Sequence, residues 1–79
     1  MYNYKKEKIM EKFIDLLREA LEREDEIQMV DTFRDYDEWN SLAYLSIIAF
    51  LDEEYDVQIE EAEFKQLKTV QDIYDAIKK

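Results

Sequence analysis

Trp39-Asn40-Ser41-Leu42-Ala43-Tyr44-Leu45-Ser46-Ile47-Ile48-Ala49-Phe50-Leu51-Asp52-Glu53-Glu54-Tyr55 is the stretch on which the reading of this 79-residue chain turns. It predicts a helix that starts at Ser41 and ends in acids. Turning about 100° per residue, Tyr44, Ile47, Ile48, Leu51 and Tyr55 form one apolar stripe, expected to face the core. Leu42, Leu45 and Ala49 fall on a different face, beside Ser46 and Glu53. A helix that only closed a bundle would not need that second apolar patch, so it is read as partner-facing. Ser41 or Asn40 is expected to cap the helix, as such residues commonly do. The first turn also carries backbone N–H groups with partial positive charge, so a phosphate joined to an exposed Ser41 hydroxyl would be stabilised there.

The flanking sequence predicts two further long helices and one short one. The first runs from about Asn3 to about Arg23, with Ile9, Phe13, Leu16, Leu17, Ala20 and Leu21 as its apolar stripe. Residues 24–40 form a long connection, yet Ile27, Met29, Val30, Phe33 and Trp39 are too apolar for a free linker, and several are expected to pack down. After Asp56-Val57-Gln58-Ile59, residues 60–67 suggest a short acidic turn or helix, with Phe64 and Leu67 closing over the core. The last helix begins at Thr69, where Thr69 and Asp72 have capping-box spacing. Val70, Ile73, Tyr74 and Ile77 make its buried stripe, and Lys78 and Lys79 suit the negative end of its dipole. The fold class is therefore all-α: an irregular four-helix bundle, three longer helices and one short, with a long first loop. Glycine and proline are both absent. Left-handed turn positions must then fall to Asn or Asp, with Asn40 and Asp56 as candidates.

Composition excludes much chemistry. There is no cysteine and no histidine, hence no disulfide, no thiolate site and no imidazole base. A serine nucleophile would lack its usual partner. The acids Asp31, Asp35, Asp37 and Glu38 do not make an EF-hand loop, because counting from Asp35 places Asn40 and Ser46 where glycine and a bidentate glutamate are needed. No catalytic residue and no metal site are expected, and the chain is read as a non-enzyme. No apolar run approaches the roughly 20 residues needed to cross a bilayer. The charged start, Met1-Tyr2-Asn3-Tyr4-Lys5-Lys6, does not resemble a secretory signal, so a cytoplasmic location is expected.

The formal net charge is −10, and it is unevenly spread. Residues 1–30 hold 8 acids and 6 bases, residues 31–64 hold 11 acids and only Arg34, and residues 65–79 hold 2 acids and 4 bases. The excess surrounds Ser41 and the helix it begins. Such a field repels nucleic acid and draws in basic protein surfaces, and no membrane partner is expected.

With these residues in view, the chain resembles the acyl carrier protein family over most of its length, as a single domain spanning 1–79. Phe33-Arg34-Asp35 and Glu38-Trp39-Asn40-Ser41-Leu42 look like the loop leading to the family's modification site. Leu51 to Ile59 looks like the acidic, aromatic-ended close of its second helix, and Thr69-Val70-Gln71-Asp72-Ile73 like the start of its last. The resemblance implies a covalent 4′-phosphopantetheine from coenzyme A on Ser41, with Asn40 and Leu42 flanking it. An acyl or similar small acid would ride there as a thioester, with shelter between the helices left open. A phosphopantetheinyl transferase would install the arm, and acyl-activating or acyl-transferring enzymes would dock basic patches on Leu45, Ala49, Asp52, Glu53, Glu60, Glu61 and Glu63. A monomer is expected.

Three departures from the family pattern stand out: Asn40 where aspartate usually precedes the serine, Ala43 and Ser46 where acids often follow, and no glycine in the preceding loop. They point to a specialised pathway and not necessarily to the housekeeping carrier of fatty-acid biosynthesis. The cargo is left open among a fatty acyl, another lipid or polyketide acyl, an amino acid or other small acid, with the acidic helix favouring acyl over peptidyl carriers. The competing reading is an acidic helical adaptor, or a nucleic-acid-mimicking inhibitor, with no prosthetic group.

Overall fold

The computed structural model describes residues 4–78, and side chains from Ile9 onward. In chain order it holds α1 (Tyr4–Leu21), a 3-10 turn (Phe33–Asp35), α2 (Ser41–Tyr55), α3 (Glu61–Phe64) and α4 (Val70–Ile77). Among the described residues there is no strand, only an isolated antiparallel bridge between Thr32 and Thr69. The small all-helical bundle read from the sequence is the fold of the protein.

α1 stops two residues short of Arg23. Glu22 adopts a left-handed conformation, φ 56°. Its N–H donates to Glu19 O at 3.1 Å and that of Arg23 to Arg18 O at 3.0 Å. This is the double bond of a Schellman turn, made here without the usual glycine. Asp56 ends α2 in the same left-handed conformation, φ 54°, but with other bonds: its N–H donates to Asp52 O at 3.1 Å and that of Val57 to Leu51 O at 3.0 Å. The expectation for Asn40 was different and is corrected: its backbone is extended, φ −162°, because it is the N-cap of α2. Asn3, near which the first helix is expected to begin, and Lys79 lie outside the described residues.

The core gathers Phe13, Leu17 and Leu21 of α1, Ile47, Phe50 and Leu51 of α2, and Val70, Ile73 and Tyr74 of α4. Ile27, Phe33, Ile59 and Phe64 enter it from the connections and α3. Aromatic edges knit the layers: Phe13 meets Phe50 at 6.2 Å and Tyr74 at 5.2 Å between ring centroids. Three expectations change. On α2 the buried positions are Ala43, Ile47, Phe50 and Leu51, with Tyr44, Ile48 and Tyr55 only partly buried. Phe50 is recruited by Phe13 on α1, while Tyr44 faces Phe64 on the other side, so α2 is covered over a wider arc than one stripe. On α1, Ile9 is half exposed. Lys12 already reaches Glu54 at the end of α2, 3.8 Å away, so the turn before it overhangs the bundle.

Val30 is the third, at 82 % exposure. Its neighbours bind the start of α4 through their carbonyls: Met29 O accepts from Gln71 N–H at 2.8 Å and Asp31 O from Val70 N–H at 3.0 Å. Val30 between them turns outward. The rest of the connection packs as expected, with Ile27 and Phe33 buried and Met29 and Trp39 lodged against the core. α4 begins as its sequence predicts. Thr69 Oγ1 accepts from Asp72 N–H at 3.2 Å while Asp72 Oδ2 accepts from Thr69 N–H at 3.1 Å. Lys68 N–H donates to the same carboxylate oxygen at 2.9 Å.

Candidate functional site

Asn40 and Ser41 divide the start of α2 between them. Asn40 Oδ1 accepts from Ala43 N–H at 2.8 Å, and Asn40 O accepts the first helical bond, from Tyr44 N–H at 3.1 Å. The cap is therefore Asn40. Ser41 is the first helical residue, exposed, with its hydroxyl outside the cap. The first turn of α2 contains no acid. An anion attached to Ser41 would meet the positive end of the helix with no carboxylate in that turn to oppose it.

Beyond Ser41 the second apolar patch is where the sequence put it. Leu42 is 73 % and Leu45 58 % exposed, and Ala49, Asp52 and Glu53 are exposed as well. Spacings of three and four place Leu42, Leu45, Ala49 and Asp52 or Glu53 on one helix face. Glu60, Glu61 and Glu63 are exposed too, but belong to α3 and its cap. Glu61 carries a surface pair with Lys65 at 3.7 Å, and Asp52 accepts from Gln58 at 3.4 Å.

The loop before Ser41 is tied down at two points. Near α1, Arg23 pairs with Glu38 at 2.8 Å and lies over the Tyr36 ring, 4.0 Å from its centroid. The Tyr36 hydroxyl donates to Asp31 Oδ2 at 2.7 Å. These contacts hold the Glu38 carboxyl below its usual range through the Arg23 bond, and the Asp31 carboxyl below its own through Tyr36 and then Gln28 N–H. Burial, then the Asp31 bond, pushes the Tyr36 phenol upward. Near α3, Arg34 donates to Leu67 O, and to Phe64 O at 3.0 Å. In the sequence Arg34 stands out as the one base of residues 31–64 and as the centre of Phe33-Arg34-Asp35, with no contact assigned to it. Its place between Phe33 and the aromatics at 36 and 39 was the signal for a structural arginine.

Among the described residues no group of three or more metal-binding side chains is assembled, and no helix is long and apolar enough to cross a membrane. The fold is a small helical bundle in which an exposed serine, Ser41, heads the second long helix. The family model for the phosphopantetheine attachment site matches residues 11–77, and the chain belongs to that family. Its members are carriers and not enzymes, and they hold 4′-phosphopantetheine covalently. Membership thus decides against the adaptor without a prosthetic group. Neither the curated proteins nor the solved structures searched yield a match to this chain.

Proposed function

We propose that the chain is an acyl carrier protein whose attachment point is Ser41. The observation that carries this reading is the division of labour at the start of α2. Asn40 satisfies the helix, so the Ser41 hydroxyl is exposed and free to be esterified without loss of the cap. The residues present suit the group: an exposed hydroxyl, a positive helix end and no acid in the first turn. When bound, the arm supplies a terminal thiol on which an acyl group is held as a thioester. The chain's own residues position Ser41 and present the surrounding surface.

That surface is the exposed stripe Leu42, Leu45, Ala49, Asp52 and Glu53, with Glu60, Glu61 and Glu63 on the neighbouring element. Its partners are a phosphopantetheinyl transferase and acyl-handling enzymes with basic patches around an apolar centre. Charge complementarity of this kind raises encounter rates and leaves contacts short-lived, which suits a monomeric shuttle. The absence of acids at Ala43 and Ser46 supports a specialised biosynthetic pathway in place of the general one for fatty acids.

The test is incubation with acetyl-coenzyme A, magnesium and a broad-specificity transferase, followed by neutral hydroxylamine. The expected result is a mass gain of one acetylated arm, with hydroxylamine removing the acetyl group alone. A transferase active on a control carrier that leaves this chain unmodified would refute the reading.

A further inference from the structure

The space between α2 and α3, next to Ser41, is occupied by aromatic rings. Phe64 is 2 % exposed, and its ring sits 5.6 Å from that of Phe33, 6.3 Å from that of Trp39 and 5.0 Å from that of Tyr44, between centroids. Arg34 lies over three of these rings, at 4.8 Å from Phe33, 5.4 Å from Phe64 and 5.9 Å from Trp39. The same guanidinium binds the carbonyls of Phe64 and Leu67, fastening α3 to the loop that leads to Ser41. Phe33 of this cluster and Ile47, Leu51, Val70 and Ile73 of the core are fully buried, and an interior packed in this way gives room only by displacing side chains.

What remains open is a cleft of about 170 Å³ lined by Arg34, Trp39, Tyr44, Glu61, Phe64 and Lys65. Trp39 precedes Ser41 by two residues, and Tyr44 follows it by one helical turn. A cavity of about 150 Å³ holds one benzene molecule. We infer that Trp39 and Phe64, latched by Arg34, set a ceiling on the cargo this carrier shelters: a short or aromatic acyl group of about six carbons enters the cleft, and longer chains stay outside the bundle. Arg34 is a positioning residue in this arrangement, holding α3 shut. The inference rests on the reading of Ser41 as the attachment point.

The experiment loads the wild type with hexanoyl or hexadecanoyl arms, confirms loading by intact mass, and compares amide shifts by heteronuclear NMR. Tyr44 and Phe64 amides are expected to shift with hexanoyl and no further with hexadecanoyl, while Leu51 and Ile73 stay unmoved by either. Both thioesters are expected to react with hydroxylamine at rates within about twofold. Shifts at Leu51 and Ile73 that grow with chain length, with several-fold protection of the long thioester, would overturn the ceiling. Tyr44 and Phe64 amides unmoved by hexanoyl would overturn the cleft as its site.

Trp39 is only partly buried, so Trp39→Ala is the gentler opening. It is expected to make the core shifts depend on chain length, and an unchanged pattern would remove Trp39 from the assignment. If no transferase loads the wild type, the Ser41 reading fails at that step. The ceiling is then tested on Ser41→Cys, a unique thiol in a chain without cysteine, alkylated through a flexible linker ending in hexyl or hexadecyl and judged by the same shifts.

Discussion

Substituting the two residues at the head of α2 separates holding the helix from carrying the cargo. Asn40→Ala removes the acceptor of the Ala43 N–H, a 2.8 Å bond at a residue only 3 % exposed. Loss of such a cap costs about 1–2 kcal/mol, toward the upper part of the range because the abandoned donor is shielded from water. For a domain of this size each kcal/mol moves Tm by roughly 4–8 °C, so the expected drop is roughly 4–16 °C. Ser41→Ala touches an exposed side chain outside the cap and should stay within about 0.5 kcal/mol of wild type. Asn40→Asp keeps an acceptor and adds charge at the positive end of the helix, so it should hold within about 1 kcal/mol. Thermal and urea melts followed by circular dichroism measure all three. If Ser41→Ala loses as much as Asn40→Ala, Ser41 is the cap. Esterification of Ser41 would then cost the helix its cap.

Three other outcomes follow from particular contacts. Asp31, Glu38 and Asp72 all have carboxyls held below their ordinary range by Tyr36, Arg23 and backbone N–H groups respectively. Their contribution is complete above the unfolded carboxylate values near about 4 and is lost as pH falls through the folded ones, so Tm should decline below about pH 4; Asp72→Asn should flatten that decline in a pH series of melts. Thr69→Ala breaks the capping box of α4 and should cost about 1 kcal/mol in urea denaturation. Replacing Glu53, Glu60 and Glu61 by lysine changes the net charge from −10 to −4; it should lower the loading rate by a basic-patched enzyme and weaken its salt dependence, and unaltered kinetics would remove these acids from the docking surface.

Local signals carried most of the fold into the sequence. The Thr69 and Asp72 spacing gave the α4 start and its reciprocal bonds, because a capping box is written in residues three apart. The exposed Leu42, Leu45 and Ala49 face was legible as well, because the polar Ser46 and Glu53 beside it mark that side of α2 as open to solvent. Facts set by tertiary neighbours were not legible. Phe50 and Ala43 are buried because α1 and the α3 side flank α2 together, and a helix apolar nearly all round does not reveal its centre. Ile9 fits the α1 stripe yet overhangs the end of α2. Val30 looks like an anchor, but the carbonyls on either side of it bind α4 and turn it out. At the site, the sequence left the cap open between Asn40 and Ser41, and only the Asn40–Ala43 bond resolves it. The role of Arg34 depends on carbonyls more than thirty residues away, which no local pattern encodes.

Ser41 is proposed to bear the arm. The most direct test is intact mass, with tandem mass spectrometry of the peptide spanning residues 35–65, after incubation with coenzyme A, magnesium and a broad-specificity transferase. One phosphopantetheine is expected on Ser41 of the wild type and none on a folded Ser41→Ala. A gain that persists in Ser41→Ala, or that maps to Ser46, would contradict it.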